Sequence, residues 1–227
     1  KNALFPLLDE PHTSVIKQLV IAGKIMHEVD GKVRITATTA TWSTMADLKE
    51  LNKVLDVWLP WEPRVTSRLN AKNELSFLHN TGKEILPYLC SRSGNTSSYL
   101  NYFRYRGIRS YLAKCDGFSL WACNSWRTNS NEWMGSRKNT AGAWLFQHSD
   151  QGFIPTIRAE AFREGAEDMY LLWLGQKLAK QKSNKRLAQL ISPAYLKALL
   201  AKGDSDATKK WRNELIVLIA SYNNSNK

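Results

Sequence analysis

The chain lacks most signatures that would place it at once. No apolar run approaches the roughly 18 residues that cross a bilayer, so no transmembrane span is expected. Cysteine is scarce. Cys90, Cys115 and Cys123 form no CxxC pair and lie in or beside apolar runs. Buried thiols are expected rather than a disulfide framework, although an odd count leaves room for a single bridge. The histidines, His12, His27, His79 and His148, show no metal-ligand spacing with carboxylates or thiols, so neither metal nor cofactor is expected. There is no zinc-finger spacing, Walker loop or RNA-recognition signature, and no GxGxxG follows any strand. Low-complexity stretches are absent and 43% of residues are apolar, so a packed core is expected.

Acids are also few: 20 Asp and Glu stand against 32 Lys and Arg, a formal net charge of +12. Such an excess suits nucleic acid or an anionic polymer. Here the basic residues are dispersed, with the densest stretch from Lys177 to Arg186, and read as solvated helix face.

Against that background one acidic pair stands out. Asp9-Glu10 follows the apolar run Ala3-Leu4-Phe5-Pro6-Leu7-Leu8, and Pro11 closes it. The run reads as a short buried strand with two carboxylates at its C-terminal end, where α/β folds do their chemistry. Adjacent acids repel as anions, so one tends to keep a proton while the other stays charged. Glycosidic cleavage needs that division. The competing reading is a helix N-cap: Asp9 or Thr13 capping a helix that starts near Ser14.

Helical and strand periods alternate from there. Helices are expected over 14–29, 45–55, 66–80 and 97–114, and strands over 32–38, 56–61, 84–90 and 117–123. This is a βα unit repeated four times and then a final strand, which implies parallel pairing. Its spacing fits a (β/α) barrel, in which the strand tips converge on one face. Five strands cannot close a barrel, so either three earlier strands lie in a segment before Lys1, the favoured reading, or the fold is not a barrel, with a doubly wound open sheet as the alternative. Beyond an Asn- and Ser-rich loop over 127–142, residues 152–173 read as extended and then helical. Two more helices follow, over 188–202 and 207–222, with breaks at Ser192-Pro193 and Gly203-Asp204.

Tryptophan is abundant, with 9 residues. Trp61, Trp121, Trp126 and Trp133 fall at or past strand ends, and Tyr88 lies late in its strand. Flat rings stack on the CH faces of sugars, while Arg92 and Asn124 nearby could bond hydroxyls. Trp58, Trp173 and Trp211 read as packing residues. Aromatic platforms also serve single-stranded nucleic acid, but paired acids repel phosphate, so no nucleic-acid partner is expected.

Three segments together resemble the catalytic region of glycoside hydrolase family 123. They are Leu7-Leu8-Asp9-Glu10-Pro11-His12; Asp116-Gly117-Phe118-Ser119-Leu120-Trp121 with Asn124-Ser125-Trp126; and the stretch from Ile154 to Asp168, IPTIRAEAFREGAED. The resemblance covers about residues 3–172. It implies an α/β fold that is part of a (β/α)8 TIM barrel, strands four to eight, with C-terminal helices. Residues 1–175 would form the second part of the barrel and 176–227 a helical extension, together one catalytic-domain fragment. It further implies a retaining glycosidase, cleaving β-linked N-acetylhexosamine, N-acetylgalactosamine first among candidates. Catalysis would be substrate-assisted, the sugar's own 2-acetamido oxygen attacking the anomeric carbon. Asp9 would hold the acetamido nitrogen and Glu10 would be general acid and then base. Trp61, Tyr88, Arg92, Trp121, Asn124, Trp126 and Trp133 would line the glycan site. The partners implied are a glycan and the missing N-terminal part of the same protein, in a periplasmic or extracellular compartment. An inactive carbohydrate-binding barrel remains the alternative, ahead of a basic nucleic-acid-binding protein. The charged run from Arg158 to Asp168 reads as an ion-pair network that docks a helix.

Overall fold

A computed structural model describes residues 4–67, 71–89, 98–120, 146–149, 152–182 and 184–224. The fold is mixed α/β. The chain divides into two units, Lys1–Cys90 with Ala113–Trp121, and Ser91–Leu112 with Ala122–Lys227.

The first unit is built on parallel strands. Strands β1 (Leu4–Pro6), β2 (Arg34–Thr39), β3 (Val57–Pro60) and β4 (Glu84–Ile85) form one sheet in sequence order, each pair parallel. Helices connect them: α1 (Ile16–Val29), α2 (Met45–Leu51), α3 (Glu62–Thr66) and α4 (Ala71–Asn80). Strands β5 (Tyr88–Leu89) and β6 (Ser119–Leu120) pair in parallel beside them. The expected fourth strand over 84–90 is thus two short pieces. Pro87 has no N–H for the ladder, so pairing breaks there. The pieces stay in line: the Leu86 amide donates to the Trp58 carbonyl at 2.8 Å, and Tyr88 bridges to Trp61.

Alternation decides which faces are buried. In β2, Ile35 and Ala37 are fully buried and join Ile16, Val20, Leu48, Leu51 and Trp58 in one core. Thr36 and Thr38 point the other way. Two aspartates fix the register at the strand starts. Asp56 exchanges two hydrogen bonds with Ile35: its amide donates to the Ile35 carbonyl (2.8 Å), and its carboxylate accepts the Ile35 amide (2.7 Å). Asp116 does the same to Ile85, at 3.0 and 2.9 Å. His27 at the end of α1 also reaches the Asp56 carboxylate, at 3.0 Å.

Several local expectations need correction. The run over 3–8 is not a buried strand. β1 is the sheet's edge, bonded only to β2 among the described residues, and Leu4, Phe5 and Leu8 are exposed. Ile21, Ile25 and Val29 of α1 are exposed as well. The helix expected over 45–55 stops at Leu51, and Val54 and Leu55 reach the core from a turn. The helix expected over 66–80 begins earlier, at Glu62, with Pro63 in its first turn, and α4 follows separately. Neither Asp9 nor Thr13 caps a helix: the turn over Thr13–Val15 starts at His12 without a side-chain cap, and so does α1 at Val15.

The second unit is mostly helical. A π-turn (Leu100–Arg104) leads into α5 (Tyr105–Leu112). An antiparallel hairpin, β7 (Phe146–Ser149) and β8 (Gly152–Pro155), precedes α6 (Ile157–Lys182). Then come α7 (Lys185–Leu190), α8 (Pro193–Lys202) and α9 (Ser205–Asn224). Ser192 caps α8 and Gly203, at φ +62°, ends it, so both expected breaks occur. The core gathers Tyr105, Ile108, Leu172, Leu187, Leu190, Leu196, Trp211 and Leu215. Trp58 and Trp211 are buried packing residues as expected, whereas Trp173 is 39% exposed.

The charged run on α6 is the ion-pair network that the sequence suggested. Arg104 pairs with Glu164 (2.7 Å) and Asp168 (2.8 Å), and Arg212 on α9 pairs with Asp168 (2.6 Å) and Glu167. Asp168 is fully buried. α5 and α6 approach so closely that a Cβ at Gly107 would fall 1.9 Å from the Gly165 carbonyl oxygen. Removing Asp168 would leave Arg104 and Arg212 facing a buried void. Asp168→Ala is therefore expected to destabilise the fold by about 3–5 kcal/mol. The exposed pair Arg163–Glu160 (2.8 Å) is screened by solvent, so Glu160→Ala should change stability far less. Denaturant titration of both variants checks the contrast.

Candidate active site

The site lies where the chain leaves the C-terminal ends of β1, β2 and β3. Past β1 the Leu7 amide still donates to the Thr36 carbonyl at 2.8 Å, which carries Asp9-Glu10 to the height of Thr38. The Thr38 hydroxyl then serves both acids. It accepts the Glu10 amide at 2.6 Å and donates to Asp9 Oδ1 at 2.7 Å. Glu10 has φ +48°, a left-handed conformation that costs a residue with a Cβ about 1 kcal/mol or more. The bend turns its side chain to Tyr88, whose hydroxyl donates to Glu10 Oε1. Tyr88 is 1% exposed, Glu10 is half-buried and Asp9 is exposed. Two chemically identical groups thus stand in unequal surroundings.

The loops around this pair are laced together. Asp47 Oδ2 accepts from the Thr13 hydroxyl (2.9 Å), the Thr44 amide (2.8 Å) and the Thr44 hydroxyl (2.8 Å). The Asp47 amide returns a bond to Thr44, completing a capping box at α2. Buried Arg64 donates to the carbonyls of Ala40 and Ser43, the latter at 2.8 Å, and to Glu74 at 2.7 Å. The Asp47 carboxylate therefore holds the loop after β1 to the loop after β2, and the Arg64 guanidinium holds the loop after β2 to α3 and α4.

Of the residues singled out from sequence, Asp9, Glu10 and Tyr88 come together. Trp61, half-buried, caps α3, and its amide donates to the Thr39 carbonyl at 2.9 Å. Arg92, Trp121, Asn124, Trp126 and Trp133 lie outside the described residues, as do Cys90 and Cys123. Cys115 is buried and free. Burial first, then the charges of Asp116 and Glu62, push its thiol up to about 12, so it is no nucleophile. Glu62 is the buried first residue of α3. Sequence reasoning missed Thr38. Its one signal is position, at the end of the strand next to the acids and out of phase with Ile35 and Ala37.

Among the described residues there is no group of three or more His, Cys, Asp and Glu that could hold a metal ion. No described helix is long and apolar enough to cross a membrane. The chain matches no family model and no curated protein sequence.

Two expectations follow. Thr38→Val strips the Glu10 amide and the Asp9 carboxylate of a shared partner, and should cost about 1–3 kcal/mol of stability, most of it restored in Thr38→Ser. Asp47 offers a pH test. Burial raises its affinity for a proton, but the Thr44 and Thr13 bonds and the Arg64 charge outweigh burial and lower its pKa. Its contribution to stability should be complete above the ordinary aspartate value, and should vanish as pH falls through the depressed folded value. Melting curves between pH 6 and pH 2 should therefore drop less steeply for Asp47→Asn than for the native chain.

Proposed function

We propose that this chain is the catalytic region of a retaining β-N-acetylhexosaminidase that works by substrate assistance. The observation that carries the reading is the Asp9–Thr38–Glu10–Tyr88 assembly beyond the ends of parallel strands. In this reading Asp9, exposed and oriented by the Thr38 hydroxyl, receives the substrate's acetamido N–H. It stabilises the positive charge that grows as the acetamido oxygen attacks the anomeric carbon. Glu10, half-buried, gives its proton to the leaving oxygen. It then takes one from the water that opens the oxazolinium ion. Tyr88 fixes one Glu10 oxygen, and the other carries the proton. No second carboxylate across the cleft is required, because the nucleophile belongs to the substrate.

The sheet supports the finer fold reading, a (β/α)8 barrel of which this chain supplies strands four to eight. Its parallel strands run in sequence order. Exposed apolar residues on β1 and α1 fit a further strand and helix contributed by a preceding part of the same protein. The glycan would enter over the acids, with Trp61 as part of its proposed lining. The third segment of the family-123 resemblance, on α6, is explained by packing and adds nothing to the chemistry.

Turnover separates this reading from a binding-only barrel. Glu10→Gln should lower kcat on glycosides with poor leaving groups by about 10²–10⁴-fold, with a smaller loss in the first step for aryl glycosides. Asp9→Asn should remove about 2–4 kcal/mol of transition-state stabilisation on 2-acetamido substrates. It should also weaken binding of a thiazoline mimic of the oxazolinium ion. Calorimetric binding of N-acetylgalactosamine without any hydrolysis of its glycosides would select the binding-only barrel instead.

A further inference from the structure

We propose that His12 and Trp42 form a second sugar subsite, a stacking platform for the ring next to the one cleaved. This rests on the hydrolase reading above and extends it to a residue that sequence reasoning passed over. The two rings stack with centroids 5.1 Å apart and planes within 10°. His12 is exposed and Trp42 is 43% exposed. Stacking covers part of one face of the indole, and close to half of the residue stays open to solvent. A large aromatic side chain on a loop tip loses apolar burial by standing there, so a ligand that covers it gains.

Position selects a sugar as that ligand. His12 is two residues beyond Glu10, on the loop that carries both acids. Trp42 stands on the loop after β2, the strand that supplies Thr38. A group bound on this pair is therefore contiguous with a substrate held at Asp9 and Glu10. An anionic polymer meets the two carboxylates first, whereas a neutral pyranose meets flat rings. Its axial C–H groups match the negative ring faces, and its hydroxyls stay wet at the rim.

The platform is also held in place before any ligand arrives. Thr13, directly after His12, and Thr44, two residues after Trp42, both bond Asp47 Oδ2. Arg64 fixes the Ser43 carbonyl from below at 2.8 Å. Three neighbours of the stacked rings are thus tied to buried charges, so little ordering cost remains to be met on binding.

The test compares two probes on the native chain, Trp42→Ala and Trp42→Phe. Methyl N-acetyl-β-galactosaminide fills only the cleaved-sugar position, and the disaccharide GalNAcβ1→4Gal adds one ring. Trp42→Ala should raise KM for the disaccharide about tenfold and leave the methyl glycoside unchanged, with Trp42→Phe restoring most of the loss. If the native chain hydrolyses neither probe, the enzyme reading fails, and calorimetric affinities for the same pair decide the platform alone. A selective loss of disaccharide affinity in Trp42→Ala sustains it. Equal affinities in native and variant, with only a lower melting temperature, mean that the rings merely staple two loops. Absence of binding by either probe overturns the subsite as well. Should Trp42→Ala not fold, Trp42→Leu keeps the apolar bulk without the flat face and is read the same way.

Discussion

The constraint on which the site depends is the parallel register of β1, β2 and β3. Side chains on a strand alternate with a period of two, so a slip of one residue would send Thr38 to the core face and Ile35 to the rim. Parallel ladders are fixed by short exchanges at their ends as much as by the ladder itself. Here Asp56 closes such an exchange with Ile35, and Asp116 repeats it with Ile85. Each aspartate uses its carboxylate where the strand before it would leave an amide unbonded. The candidate site at one end of the sheet is thus registered by acids at the other.

The alternation of strand and helix was legible because its causes are local. Apolar residues recur with period two over 33–37 and with helical spacing over 15–26, and the order of the parallel strands follows from that. The misreadings have physical sources too. β1 looks buried because its residues are apolar, but burial is a property of position, and an edge strand has neighbours on one side only. The helix over 45–55 was overextended because Val54 and Leu55 continue an apolar spacing that the backbone, turning at Asn52, does not follow. The strand Phe146–Ser149 carries one aromatic and no β-branched residue, so composition gave no sign of it.

The site was legible in part. Two adjacent carboxylates after an apolar run are visible in any one-dimensional reading. The partner that joins them is not: Thr38 sits among the threonines and alanines of β2 with nothing to distinguish it until the strands are paired. Tyr88 is 78 residues from Glu10 in the chain, and the pairing of strands, the bridge between Trp61 and Tyr88 included, brings it to Glu10. The motif over 154–168 teaches the converse. Its Gly165 lets α5 approach, and its Glu164, Glu167 and Asp168 hold two buried or half-buried arginines. A pattern that dense in acids and arginines reads as an ion-pair network in the sequence, and the pairs with Arg104 and Arg212 are that network.

Glu10 shows what such a site asks of the fold. A glycine would occupy its left-handed backbone without steric cost, and a glutamate does not. Two terms therefore oppose one another at position 10. Glycine would relieve the backbone, but it would also take the carboxylate acceptor from the buried Tyr88 hydroxyl, a loss of about 1–3 kcal/mol that offsets the relief. Screens for heat resistance alone would therefore exert no pull toward glycine there.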